Sequence, residues 1–222
     1  FYKESRWGNF WSVGANWRIS QEEFMKNVRW VNNLSVKASY GVQGNDRLLD
    51  SNGYDIYYAW QSFYSLSYPN NTMNGAALSS LENKGLKWEK NGNLNVGVEG
   101  RLFDRVSFSV EWYQRKTSDM LMSFPMATSL GFDGYNKNIG SMRNRGLDVS
   151  IATDIFQQPN FGWRLTLMGS TVKNEVLQLA DKPEIINGSY IIREGETINS
   201  FYTATAAGVD PATGEQLYWV WD

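Results

Sequence analysis

The sequence predicts an all-β protein: an antiparallel, up-and-down sheet forming a segment of a transmembrane β-barrel. Three observations carry that reading. Six stretches alternate apolar and polar side chains with a period of two, their apolar faces carry no charge, and the connections between them alternate short and long. A sheet with lipid on one side and water on the other requires the first two. Short turns at one rim and long loops at the other supply the third.

Each stretch splits into two faces, because successive side chains on a strand point to opposite sides. In residues 10–19, Trp11, Val13, Ala15, Trp17 and Ile19 oppose Phe10, Ser12, Gly14, Asn16 and Arg18. In residues 34–43, Leu34, Val36, Ala38, Tyr40 and Val42 oppose Ser35, Lys37, Ser39, Gly41 and Gln43. The third stretch sets Leu94, Val96, Val98, Gly100 and Leu102 against Asn93, Asn95, Gly97, Glu99 and Arg101. The fourth sets Val106, Phe108, Val110 and Trp112 against Ser107, Ser109, Glu111, Tyr113 and Arg115. In the fifth, Leu147, Val149, Ile151, Thr153 and Ile155 oppose Gly146, Asp148, Ser150, Ala152 and Asp154. The sixth pairs Trp163, Leu165, Leu167, Gly169 and Thr171 with Arg164, Thr166, Met168 and Ser170. The charges Arg18, Lys37, Glu99, Arg101, Glu111, Arg115, Asp148, Asp154 and Arg164 all fall on polar faces, as lining of a hydrated lumen would. Carboxylates such as Asp148 and Asp154 are expected to pair with Arg18, Arg101 or Arg164 on neighbouring strands.

Parity sorts the connections. Residues 20–33, 103–105 and 156–162 must emerge on one side, whereas 45–87, 116–140 and everything after about 174 emerge on the other. Every member of the second group is longer than any of the first, which makes the first rim periplasmic and the second extracellular. Strand one then runs downward. Trp7 and Trp17, ten residues apart on its outward face, would stand about 25 Å apart along the membrane normal, with Trp112 and Trp163 in the same two girdles. The string SQEEFM offers a capping box between Ser20 and Glu23, hence a short helix at the periplasmic rim.

Composition limits the alternatives. The chain of 222 residues has a mean hydropathy of -0.45 and no run of the ~18 apolar residues that a membrane helix requires. Aromatics make up 15%, with ten Trp and twelve Tyr, as expected where amphipathic rings sit at a membrane interface. A net charge of -2 and a pI near 5.3 argue against nucleic acid as a partner, which demands a concentrated basic surface. No Cys and no His are present, so disulfides, the usual zinc sites and Ser-His-Asp or Cys-His nucleophiles are ruled out. Neither a Gly-rich phosphate loop nor any other cofactor motif is present, so no cofactor and no enzymatic activity are expected. DPATGE at 210–215 reads as a tight turn rather than a calcium loop, and Gln216 to Trp221 as the start of a further strand. Asn70-Asn71-Thr72 and Asn187-Gly188-Ser189 have the form of glycosylation acceptors, a weak signal.

The first long loop is the candidate for ligand contact. It holds Tyr54, Tyr57, Tyr58, Trp60, Phe63, Tyr64 and Tyr68, of which Tyr57, Tyr58, Trp60 and Tyr64 are the candidate substrate-binding residues. Flat aromatic faces stack on sugar rings or peptide side chains. The competing reading is that these rings pack on a lid protein or on one another.

The strings RWGNFWSVGANWRISQEEFM, SYGVQGN, YQRKTSDML, NIGSMRNRGLDV and GVDPATGEQLYW, in that order, resemble the barrel portion of TonB-linked outer-membrane proteins of the SusC/RagA type. The resemblance spans nearly the whole chain and is weakest at 45–87 and about 174–205, the expected surface loops. It implies a barrel of about 22 strands, of which residues 1–222 form six or seven, with the plug and C-terminal strands outside this chain. It further implies a SusD-like surface lipoprotein lid, energy from the TonB complex, outer-membrane lipid around the wall, and import of oligosaccharides, with peptides the main rival. From the residues alone, a second class stays open: a soluble or surface-attached β-sandwich that binds carbohydrate.

Overall fold

The structure is a computed structural model and describes residues 1–49, 53–70, 73–132, 134–180 and 182–219. The strands in chain order are β1 (Trp11–Trp17), β2 (Val31–Asn45), β3 (Phe63–Asn70), β4 (Met73–Ser80), β5 (Glu89–Leu102), β6 (Val106–Ser118), β7 (Leu121–Pro125), β8 (Gly134–Asn138), β9 (Gly140–Gln158), β10 (Phe161–Leu179), β11 (Glu184–Asn187), β12 (Tyr190–Arg193), β13 (Ser200–Phe201), β14 (Ala206–Val209) and β15 (Gln216–Tyr218). The six stretches read from the sequence are β1, β2, β5, β6, β9 and β10. They form one antiparallel meander in the order β1-β2-β5-β6-β9-β10.

The register joins faces that were read one strand at a time. Trp17, Val36, Val98, Val110, Val149 and Gly169 pair successively across all six strands, and one residue along, Asn16, Lys37, Gly97, Glu111, Asp148 and Ser170 do the same. A slip of one residue at any pairing would have thrown charge onto the apolar face. On that face Val96 is 40% and Ile151 43% exposed, and among the described residues no second layer covers it. A sandwich would have buried those side chains between two sheets. This sheet is the wall of an open barrel segment.

Aromatic residues trace the strand tilt. Trp11 on β1 shares a register row with Val42, Tyr40 on β2 lies one row lower, and Trp112 on β6 one row lower again. At the other edge, Trp17 ends β1 while Trp163, paired with Phe156, lies three rows further down on β10. Both lines descend the same way across the sheet, as two level interfaces do when they cross tilted strands.

The turns at the short rim are tight. Leu102–Arg105 is a β-turn closed by the Arg105 amide on the Leu102 carbonyl at 3.1 Å, with Phe103 and Asp104 at φ of 54° and 56°. Both φ values suit the type I′ hairpin twist, but left-handed backbone costs a non-glycine residue about 1–2 kcal/mol. Local contacts offset it. Phe103 stacks on Trp30 at 5.5 Å, the Asp104 amide donates to Asn32 Oδ1 at 2.8 Å, and Arg101 Nη2 donates to the Asp104 carbonyl at 2.7 Å.

Four expectations change. Trp7 precedes β1 and belongs to no strand, so β1 presents Trp11 and Trp17 as its girdle residues, about 15 Å apart along the normal. Ile155 falls at a bulge, so Phe156 takes its place opposite Trp163 and stacks on it at 6.0 Å. The capping box does not form. The segment makes two 3₁₀ turns, Ile19–Gln21 and Glu23–Met25, with Ser20 Oγ on Asn33 Oδ1 and Glu23 paired to Lys26. Finally, β15 pairs with β14 instead of extending the main sheet, and residues 220–222, like Asn71 and Thr72, lie outside the described residues.

The long connections are built rather than loose. A cluster of Met120, Ile139, Val176, Leu179, Ile185 and Ile192 ties the β7–β8 hairpin, the end of β10 and the β11–β12–β13 sheet together. DPATGE does turn: the Gly214 amide reaches the Asp210 carbonyl at 2.8 Å, and Asp210 Oδ1 accepts from the Ala212 amide at 2.8 Å.

Candidate functional site

Two surfaces have the chemistry to meet a solute: the polar face of the sheet and a cleft above it. On the polar face, Lys37 Nζ lies 2.8 Å from Glu111 Oε2 and 3.8 Å from Glu99 Oε2. Gly97 stands between Lys37 and Glu111 in the register, and a Cβ there would meet Lys37 Cε at 2.9 Å. The missing side chain is what lets the lysine lie across β5. Asp154 takes a bidentate pair of bonds from Arg164 Nε and Nη2 at 2.6 and 2.9 Å, as expected of one neighbouring-strand pair.

The other expected carboxylate pairings differ. Asp148 accepts from Ser170 Oγ, its register partner, rather than from an arginine. Arg101 bonds the backbone of the Leu102–Arg105 turn, and Arg18 lies exposed at the end of β1, beside the first 3₁₀ turn. Arg115 Nε donates to Asn91 Oδ1 at 3.3 Å, and Thr117 Oγ1 donates to the same oxygen at 2.7 Å. Both Asn91 and Thr117 are buried, forming a polar knot near the outer rim that the sequence reading passed over because neither residue carries charge.

Above the sheet, Phe1, Asp46, Arg47, Leu48, Asp55, Ile56, Tyr57, Ala59, Trp60 and Leu86 line a cleft of about 290 Å³. Its frame is local. The Ile56 amide donates to the Leu48 carbonyl at 2.8 Å, and Arg47 Nε donates to Asp55 Oδ1 at 2.9 Å. Trp60 is held against Tyr2 with ring centroids 5.4 Å apart. The result is an aromatic wall with a polar rim of Asp46, Arg47 and Asp55. Such a surface can stack on a flat ring or apolar side chain while bonding hydroxyl or amide groups.

Of the four aromatic candidates, the cleft brings Tyr57 and Trp60 together. Tyr58 and Tyr64 are exposed and line no part of it, Tyr64 standing on β3. The charged rim was missed. Its signal was present in Asp46, Arg47 and Asp55, the charges flanking an otherwise aromatic stretch.

An antiparallel meander with one continuous apolar band, one hydrated face, and short turns at a single rim defines a wall segment of an outer-membrane β-barrel. A family model described as TonB dependent receptor-like, beta-barrel matches residues 1–217, and the chain belongs to this family of outer-membrane proteins. It is 36% identical over 204 residues to TonB-dependent receptor P39 of Formosa agariphila, covering 91% of this chain and 19% of that protein. It is 29% identical over 202 residues to TonB-dependent receptor SusC of Bacteroides thetaiotaomicron, covering 90% of this chain and 20% of SusC. A solved structure of the RagAB peptide transporter superposes with a TM-score of 0.87 at 30% identity, over 99% of this chain and 24% of that one. The same importer in its open-open state gives 0.79 over 96% of this chain. The chain thus spans about a fifth of the length of the curated relatives it matches.

Proposed function

We propose that residues 1–222 are barrel wall and extracellular loops of an outer-membrane active transporter that imports oligosaccharides or peptides with energy from TonB. In this reading a plug and the remaining strands come from the rest of the protein, and a SusD-like surface lipoprotein closes the top. The polar face, with Lys37, Glu99, Glu111 and Asp148, borders a wet passage. Tyr57 and Trp60 make first contact with the solute above it.

One observation carries this: an uncharged apolar row and, beside it, a polar row holding Lys37, Glu111 and Asp148 each run across all six strands. A wall that separates hydrocarbon from a hydrated interior needs both. The kinship to SusC and to the RagAB peptide transporter supports import of a glycan or a peptide. The test is uptake by the full-length protein in its native cells. Solute accumulation should stop when TonB is deleted, while the protein still partitions with the outer membrane and needs detergent for extraction. Recovery in the aqueous fraction, or uptake indifferent to TonB, would refute the reading.

A further inference from the structure

On the apolar face the side chains change character abruptly toward the long-loop rim. Directly above Trp112, Leu147 and Thr171, the next outward register row is Gln114, Arg145 and Lys173, and the row after it Lys116, Arg143 and Glu175. Lys90, paired with Ser118, stands on the same face one row further up. Five basic residues thus share four adjacent strands against a single carboxylate, Glu175, in a protein whose net charge is -2. Lys90, Lys116 and Lys173 are exposed. Arg143 Nη2 donates to Glu175 at 2.9 Å, and its buried Nε has no acceptor among the described residues.

The height of the patch identifies what it faces. The line of Trp11, Tyr40 and Trp112 descends across the sheet, so on β9 and β10 the apolar band ends at or below Leu147 and Thr171. Each row adds about 5 Å along the normal at a tilt of roughly 40°. Lys116, Arg143, Arg145 and Lys173 therefore stand about 5–10 Å above the hydrocarbon edge, where lipid headgroups carry their charge. The inner face at the same height is different: there Arg115 is balanced by Glu89, among neutral Asn91, Thr117 and Asn144. On these four strands the excess of cations therefore lies on the lipid side alone.

We propose that this patch binds the phosphate groups of a phosphorylated glycolipid in the outer leaflet, anchoring the wall laterally. The inference rests on the barrel reading and adds a ligand to its outside. At ~4.8 Å between strands, β5 to β10 is about 14 Å wide, enough for the two separated phosphates of one such headgroup. Lys and Arg recognise phosphate by charge-assisted hydrogen bonds.

The test uses the full-length transporter in detergent, with retained lipid counted by native mass spectrometry after incubation with bis-phosphorylated lipid A. Wild type should retain it in preference to the dephosphorylated lipid. The combined variant Lys116→Gln, Arg145→Gln, Lys173→Gln should lose retention about a hundredfold, and Lys116→Gln alone about fivefold. Lys26→Gln, at the opposite rim, should retain lipid as wild type does. Heat-modifiable electrophoretic mobility separates the two readings: if the barrel reading fails, no variant shows a folded barrel band, whereas if only the patch fails, folded protein ignores the phosphates. Equal retention of both lipids, undiminished retention by the combined variant (or by Lys116→Gln should the combined variant not assemble), or displacement by millimolar inorganic phosphate would overturn the proposal. The last would assign the patch to free phosphate.

Discussion

Lys37 reaches over Gly97 to place its ammonium 2.8 Å from the Glu111 carboxylate, two strands away. The bond ties β2 to β6 across β5 without using the backbone ladder, and it exists because the intervening residue has no side chain. Both partners remain partly exposed, at 41% and 31%, so the pair belongs with surface ion pairs worth about 0.2–1 kcal/mol. Glu111→Gln in the full-length protein should lower stability by about 0.5 kcal/mol in low salt and by much less in 1 M salt, where charges are screened beyond ~3 Å. Urea titration at both ionic strengths checks it. A salt-independent loss would mean that packing, rather than charge, links the strands.

Val98 lies on the uncharged row between Trp17 and Gly169, near the middle of the apolar band on β5. Val98→Arg should destabilise the inserted protein by about 2–4 kcal/mol, the cost of a cation at the membrane midplane, and cut the amount recovered in the outer membrane. Asn95→Lys on the opposite face, beside Ser39 and Tyr113, should assemble normally. Equal assembly of the two variants would contradict the assignment of faces.

What was legible in the sequence follows from where the physics is local. Period-two alternation fixed all six long strands and their faces, because lipid enforces the pattern at every second residue. It failed at Ile155, where a bulge inserts one residue and the pattern shifts without any change in composition. Glu23 was read as a cap because of its spacing from Ser20, yet Lys26 lay within reach and took it. Trp7 was extrapolated from a periodicity that no partner strand supports. The cleft was half legible: Tyr57 and Trp60 stood out as aromatics, whereas Arg47 and Asp55 become neighbours only when the chain folds back between Leu48 and Ile56.

The loop cluster gives a third expectation. Val176 is fully buried and Ile139 nearly so, and the two sit where two separate connections meet the end of β10. Ile139→Ala should cost about 2–4 kcal/mol through lost contacts and a residual cavity. The loss falls on the long connections, not on the wall, so limited proteolysis within residues 182–198 should quicken while the folded-barrel band on a gel persists. Cleavage at the wild-type rate would show that the connections do not depend on this cluster.

Trp60 and Tyr57 should separate from Tyr58 and Tyr64 when each is replaced by Ala in the complete transporter. The first two line the cleft beside Arg47 and Asp55, and each ring offers a stacking face worth about 0.5–1.5 kcal/mol, so solute affinity should fall between about twofold and tenfold. Tyr58→Ala and Tyr64→Ala remove exposed rings that touch no part of the cleft, and affinity should hold. Isothermal titration with the imported solute, alongside heat-modifiable mobility to confirm folding, distinguishes the outcomes. Trp60→Ala also uncovers Tyr2, its stacking partner, so Tyr2→Ala is the matching control. If Tyr2→Ala weakens binding as much as Trp60→Ala does, the tryptophan acts by holding the N-terminal segment in place; if only Trp60→Ala weakens it, the indole itself meets the solute.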